Sequence, residues 1–467
     1  MPERDYTYYD YTVSLCPVCL RRIDAKIVFQ DAQVFMLKSC PEHGFQKVLI
    51  ATDIEYYKNI RNYNKPSETP LRFNTFTHYG CPYDCGLCVD HEQHSCLTLI
   101  EVTDRCNLTC HTCYAMSSPH YGRHRTLDEI ERMLDIIVAN EGQPDVVQIS
   151  GGEPTIHPDF FRILDLAKSK PIRHLMVNTN GIRIANDFSF AKRLASYMPD
   201  FEIYLQFDSF KPEVLEAFRG KNLLDTRMKA LQHLNELNLS TTLVVMLQKD
   251  VNDDEIGRII DFALQQKCVR GVTFQPVHIA GRTDQNNPSN RITLTDVRRG
   301  ILEQTKLFEP NDLIPVPCNP DALMMGYVLK LAGQTFPLTR YVDPAMLLNN
   351  SRNTIVYERD TALHEQLINI FSTGISVDRA EENMKQLLCC LPQVHAPGLT
   401  YDNLFRIIVM RFIDAYDFDV RAIKKSCVHI VHKDGRIIPF ETMNLFYRDA
   451  KEEYTRHLQG ERVLIKQ

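Results

Sequence analysis

From residue 97 to about residue 280 the chain alternates strand-like and helix-like blocks. The strand-like stretches are Leu97 to Thr103, Asp145 to Ser150, His174 to Asn178, Glu202 to Phe207, Thr242 to Leu247 and Gly271 to Pro276. Amphipathic segments lie between them. The first opens on Thr126-Leu-Asp-Glu129, the pattern of a capping box, and continues with Ile130, Met133, Leu134 and Ile137 at helical spacing. Others run over 159–168, 212–218, 226–237 and 253–265. Six such β/α units in succession predict an α/β fold with a parallel, barrel-like sheet and its chemistry at the C-terminal ends of the strands.

With 467 residues, 44% hydrophobic and 24% charged, the chain can bury cores for several domains. The expected divisions are a small metal ribbon over 1–70, a cysteine-rich segment over 71–96, the alternating core over 97–300 and a further unit over 301–467, entered through Pro-rich Ile314-Pro-Val-Pro-Cys318. A net charge of -6 with scattered Lys and Arg argues against nucleic acid as a partner. The opening Met-Pro-Glu-Arg-Asp-Tyr lacks the apolar run of a signal peptide, and no stretch approaches the length of a membrane span. A cytoplasmic location is expected, with room for peripheral membrane contact.

Fifteen cysteines in a reducing compartment argue for metal sites over disulfides. Cys16-Pro-Val-Cys19 and Cys40-Pro-Glu-His43, separated by strand-like segments, have the form of two facing knuckles that complete a tetrahedron around zinc or a mononuclear, rubredoxin-like iron. Cys81, Cys85, Cys88 and Cys96 offer four thiolates, enough to close a 4Fe-4S cluster, with zinc as the alternative. Cys106-Asn-Leu-Thr-Cys110-His-Thr-Cys113 repeats the spacing of Cys81 to Cys88 but has only three thiolates, which leaves one iron of a cubane open to a ligand. Its place after the first strand sets it apart. Beyond residue 300, a further cluster is expected from Cys318, one of Cys389 or Cys390, and Cys427, with His429 and His432 as imidazoles close by. Cys268 is expected to be a small buried hydrophobe. The apolar runs 322–329 and 407–412 are expected as helix core.

After the second strand comes Gly151-Gly152-Glu153-Pro154, where two glycines permit close backbone approach to a ligand. Together with the cysteine triplet and the β/α rhythm, it resembles the radical S-adenosylmethionine (radical SAM) family over residues 97 to 280. The resemblance implies a partial (β/α)6 radical SAM barrel in which Cys106, Cys110 and Cys113 hold a catalytic 4Fe-4S cluster and residues 151–154 meet the amino group of the methionine moiety. It also implies that Asn178 and Asn180, and Gln206, Asp208 and Ser209, reach the ribose or methionine. The family often carries an aromatic residue just before the third cysteine; here Thr112 stands there, and Tyr114 follows as the candidate adenine contact. A reductant such as ferredoxin or flavodoxin is implied as a partner.

Over nearly the whole chain the arrangement resembles a subgroup containing the tetraether lipid synthases and 7,8-dihydro-6-hydroxymethylpterin methylase-like proteins. The leading expectation is hydrogen abstraction from an unactivated carbon for carbon–carbon bond formation on a lipid-like substrate. The alternatives are methylation of a pterin or other small molecule, and a non-catalytic iron–sulfur electron carrier. A long apolar tunnel beside the triplet would favour lipid, and a small polar pocket would favour pterin.

Overall fold

The computed structural model describes residues 4–63, 65, 68–283, 287–331, 334–340 and 403–465. Cys389 and Cys390 lie outside these. The N-terminal ribbon is a four-stranded antiparallel meander of β1 (Thr7–Leu15), β2 (Arg22–Gln30), β3 (Gln33–Cys40) and β4 (Gly44–Ala51). Alternating residues of its strands, among them Ala25, Ile27, Val34, Met36 and Val48, form a small core of their own. Lys38 joins this ribbon to the rest of the protein. Its Nζ donates to Ser14 Oγ (3.1 Å) and to the carbonyls of Leu15 (2.7 Å), Ala415 (2.9 Å) and Tyr416 (2.6 Å).

The predicted core strands all form: β5 (Leu97–Thr103), β6 (Val146–Gly151), β7 (His174–Thr179), β8 (Phe201–Gln206), β9 (Thr241–Leu247) and β10 (Val269–Pro276), each parallel to the next. Helix α1 (Leu127–Glu141) carries the full capping box between Thr126 and Glu129 and buries Ile130, Met133, Leu134 and Ile137. These pack on Ile100, Val102, Val147 and Ile149, which point outward from the sheet into the layer beneath the helices. Cys268 is fully buried in the same layer, as expected.

The sequence places a separate unit beyond residue 300, whereas its strands pair with both edges of the core sheet. The remaining strands are β11 (Ile314–Pro315), β12 (Leu323–Leu331), β13 (Gln334–Pro337), β14 (Leu404–Met410), β15 (Val428–Val431) and β16 (Ile437–Pro439). β14 runs parallel to β10, with Gly271 opposite Arg406, and β15 runs parallel to β5, with Leu97 opposite Val428. Eight parallel strands therefore surround the interior, in the order β15-β5-β6-β7-β8-β9-β10-β14. The runs 322–329 and 407–412 are mainly strand rather than helix core, because their Leu, Ile, Val and Met side chains fill both faces of a doubly covered sheet. Arg406 also crosses the interior to Glu202, with both Nη2–carboxylate distances at 2.9 Å, and so ties β14 to β8.

Candidate active site

The loop carrying Cys106, Cys110 and Cys113 leaves the C-terminal end of β5 and is held from four neighbouring strands. From β6, the Gly152 amide donates to the Thr103 carbonyl (2.8 Å) and the Glu153 amide to the Arg105 carbonyl (2.9 Å). This contact explains the two glycines. A Cβ on Gly151, whose φ is +121°, would stand 2.2 Å from Thr103 O, and one on Gly152 would stand 2.0 Å from Arg105 O. The close approach is to the cysteine loop itself.

Glu153 is correspondingly turned inward. Its carboxylate is buried and accepts from Thr155 N (3.2 Å) and Oγ1 (2.5 Å), Thr179 Oγ1 (2.8 Å) and Asn180 N (2.8 Å). Pro154 begins the short turn that follows. From β7, Asn180 Nδ2 reaches Asn107 Oδ1 in the cysteine loop (2.7 Å). The end of helix α2 (Pro212–Arg219) supplies the Phe218 carbonyl to His111 N (3.0 Å) and the Ala217 carbonyl to His111 Nδ1 (2.9 Å). From beyond β10, Arg282 donates to the carbonyls of Cys110 (2.7 Å) and Ser117 (2.8 Å).

Asp208 and Ser209, expected from the resemblance near the ribose or methionine, have their side chains engaged within the chain. Asp208 is completely buried at a positive φ of 63° and is gripped by Arg219 (2.8 and 2.7 Å) and Arg227 (3.0 Å). Ser209 Oγ donates to the buried Glu255 carboxylate. Two cationic partners outweigh burial and hold the Asp208 carboxyl below its usual range. Burial raises the Cys110 thiol, and the nearby Arg219 guanidinium works against that rise. Arg219 and Arg282 were not legible as site residues from sequence; a glycine beside each arginine, Gly220 after the helix end at Arg219 and Gly281 before Arg282, is the hint the sequence offers.

Asn178, Gln206 and Tyr114 do face the barrel interior. They line a cavity of about 110 Å³ together with Gln148, Tyr204, Arg219, Gln275, His278, Phe412 and Phe440. Tyr114 packs edge-on against Phe440 at a centroid distance of 4.8 Å, with the Arg448 guanidinium 5.5 Å from its ring centre. Arg448 in turn forms a two-pronged pair with Glu101 (2.7 and 2.8 Å).

The cysteines sort differently from their order in sequence. Cys16, Cys19, Cys40 and His43 converge, every donor atom within 4.8 Å of the others. Three thiols and an imidazole at that spacing suit one tetrahedral ion. Cys96 does not join Cys81, Cys85 and Cys88. It converges instead with Cys318 and Cys427, again within 4.8 Å, with Cys318 and Cys427 sulfurs 3.3 Å apart. The cause is the sheet register: Leu97 opposes Val428, so the preceding residues, Cys96 and Cys427, start adjacent parallel strands. Gln93 Nε2 (3.5 Å) and His94 Nε2 (3.6 Å) approach the Cys96 sulfur, and Glu141 holds the other nitrogen of His94 (3.1 Å). His429 faces His91 (3.2 Å) and His432 faces Asp434 (2.9 Å), so neither enters the Cys427 donor set.

Cys81, Cys85 and Cys88 remain in one loop, where the Cys85 amide donates to Tyr447 Oη (2.8 Å) and Asp84 accepts from the amides of Tyr79 and Gly80. The Cys106 triplet is not among the donor sets that converge within 4.8 Å; a cubane binds each thiolate at a different iron and needs wider spacing than a single ion. Burial pushes the Cys106 thiol up to about 12 and raises Cys110, Cys96 and Cys318 as well. A cationic metal centre reverses that preference and stabilises the thiolates. The donor sets thus fit metal.

The fold and these sites define the class: the chain belongs to the radical SAM superfamily, whose family model matches residues 100–263. It is an enzyme of that class, using a 4Fe-4S cluster and S-adenosylmethionine. Residues 8–52 match the HMPTM N-terminal zinc ribbon domain. Across 95% of its length, and 94% of the relative's, the chain is 32% identical to the 7,8-dihydro-6-hydroxymethylpterin dimethyltransferase of Methanocaldococcus jannaschii. It is 30% identical to the GTP 3',8-cyclase of Actinobacillus succinogenes over 34% of this chain and 48% of that one. The solved structure of Streptococcus suis SuiB bound to S-adenosylmethionine matches over 45% of this chain and 47% of that one, at 20% identity and a TM-score of 0.38. Among the described residues no helix is long and apolar enough to cross a membrane.

Proposed function

We propose that this radical SAM enzyme methylates a pterin-type ring. The observation that carries the reading is the cavity below the cysteine loop. It is compact and lined by Gln148, Asn178, Tyr204, Gln206, Gln275 and His278 as well as by aliphatic and aromatic groups, which suits a small polar heterocycle better than an extended apolar chain. The likeness to a pterin dimethyltransferase over nearly the full length supports the same choice over carbon–carbon coupling of lipids.

In this reading Cys106, Cys110 and Cys113 hold the catalytic cluster. When bound, the reduced cluster and S-adenosylmethionine would supply a 5'-deoxyadenosyl radical that removes hydrogen from an unreactive carbon, and a further S-adenosylmethionine or another one-carbon donor would supply the carbon of the new methyl group. The chain's own residues position and shield. Gly151 to Glu153, Asn180, Arg219 and Arg282 fix the cysteine loop over the barrel mouth, while Tyr114, Asn178 and Gln206 face the space beneath it. Cys96, Cys318 and Cys427 form a second metal site at the opposite end of β5, about 20 Å along the strand, and Cys81, Cys85 and Cys88 form a third. An external reductant feeds the system.

The test is anaerobic reconstitution with iron and sulfide, followed by incubation with reductant, S-adenosylmethionine and 7,8-dihydro-6-hydroxymethylpterin. Methylated pterin detected by mass spectrometry together with 5'-deoxyadenosine is the expected result. Formation of 5'-deoxyadenosine coupled to lipid extract, with the pterin recovered unchanged, would overturn it.

A further inference from the structure

Three buried polar atoms without hydrogen-bond partners, Gln148 Nε2, Asn178 Oδ1 and His278 Nε2, belong to residues lining the same barrel cavity. They come from three separate elements: β6, β7 and the loop after β10. A buried polar atom left unpaired is costly, so native proteins keep few of them. Three around one cavity indicate that something else completes them.

Their neighbours narrow the choice. Phe440 stacks obliquely on Phe412 at 4.1 Å, meets the Tyr114 ring at 4.8 Å and the His278 ring at 5.8 Å, and all four line the cavity. Such a wall favours a flat π-system. Burial lowers the His278 imidazole to about 4, so near neutral pH it is uncharged and offers one N–H and one bare nitrogen. Its loop is fixed by the Ile279 amide, which donates to Asp414 Oδ2 (2.9 Å), and Asp414 is held in turn by Arg291 (2.8 Å).

We infer that Gln148, Asn178 and His278 read the edge of a planar nitrogen heterocycle whose face packs on Tyr114, Phe412 and Phe440. The Gln148 amide N–H calls for an acceptor, the Asn178 carbonyl calls for a donor, and His278 takes either according to tautomer. A ring edge that alternates donors and acceptors, as an aminopyrimidinone does, meets all three. The assignment rests on the pterin reading for the particular ring, and on geometry for the residues. Depth in the barrel sets Gln148 apart from cofactor binding, since it stands three residues before Gly151 on β6, about 10 Å below the level of the cysteine loop. Asn178, next to the last residue of β7, and His278, beyond β10, stand nearer that loop and close the upper side of the ring site.

The test uses the reconstituted full-length enzyme under anaerobic conditions and measures dissociation constants for 7,8-dihydro-6-hydroxymethylpterin and for S-adenosylmethionine separately. Gln148→Leu and His278→Phe are expected to weaken pterin binding by roughly tenfold to a hundredfold each, with S-adenosylmethionine affinity within about twofold of the parent. A deaza analogue lacking one ring hydrogen-bonding group supplies a check that needs no altered fold. It should bind the parent at least about tenfold more weakly than the pterin does, and should lose little more in the variant missing its partner. Variants that bind pterin as well as the parent, or that lose S-adenosylmethionine instead, overturn the assignment. A parent that ignores pterin but binds another planar heterocycle, with the same variants impaired, retires the pterin reading and leaves these residue roles standing. A parent that binds no planar heterocycle overturns both.

Discussion

Gly152→Ala is a small change with a large expected effect. The added Cβ would stand 2.0 Å from the Arg105 carbonyl oxygen, 2.5 Å from its carbon and 3.0 Å from the Cys106 nitrogen. Real Cβ atoms essentially never come within 3.0 Å of such neighbours, so the two backbones must part by roughly 1 Å, the whole of the shortfall. Neither side is a flexible side chain that could step aside. Separation lengthens the 2.8 and 2.9 Å bonds from Gly152 and Glu153 to the loop, and the residue displaced is adjacent to, or is, the first cysteine. Overpacking of this kind costs about 1–3 kcal/mol, and a 1 Å misplacement near reacting groups costs on the order of a hundredfold in rate. The assay is 5'-deoxyadenosine formation by the reconstituted variant, alongside iron content and thermal unfolding. A fall of roughly two orders of magnitude with only a modest loss of stability is expected. A variant with the parental rate would show that the β6 glycines do not set the position of the cysteine loop.

Three further outcomes follow from the same geometry. Cys110→Ala should abolish 5'-deoxyadenosine formation while leaving the ribbon metal in place, measured by product chromatography and metal analysis. Cys96→Ala and Cys427→Ala should lose the same complement of iron as each other, and neither should disturb iron bound through Cys81, Cys85 and Cys88; Mössbauer or EPR spectra that pair Cys96 with Cys81 instead would contradict the sheet register. Arg406→Met takes from the buried Glu202 carboxylate its arginine and should cost about 3–5 kcal/mol by denaturant titration; a loss below about 1 kcal/mol would mean that β14 is held to β8 by other contacts.

Much of the core was legible because local pattern and global fold agree there. The capping box at Thr126 and the apolar spacing of Ile130, Met133, Leu134 and Ile137 describe a helix that lies where they place it, and the six strands differ from expectation only at their ends. Long-range pairing was legible only in part: Cys318 and Cys427 were expected in one site and do converge, but the place of Cys96 beside them was not. Cys96 lies closest in sequence to Cys88 but closest in space to Cys427 and Cys318, and nothing short of the β5–β15 register reveals it. The runs around 325 and 408 are apolar without interruption, a pattern that buried strands and buried helices share. Asp208 and Ser209 sit where a cofactor contact is expected, yet Arg219, Arg227 and Glu255, distant in sequence, claim them first. Gly151 and Gly152 mark a close backbone approach, and the structure shows one such approach, to Thr103 and Arg105.

The pairing of Leu97 with Val428 also sets an order of assembly. The ribbon donors and the Cys106 triplet each come from a short stretch of chain and become complete during synthesis. Cys96, Cys318 and Cys427 become neighbours only after β15 has emerged and docked against β5. Metal can therefore reach that site only in a chain whose C-terminal strands are already in place, and truncation before residue 427 should produce protein that fills its other centres while this one never matures.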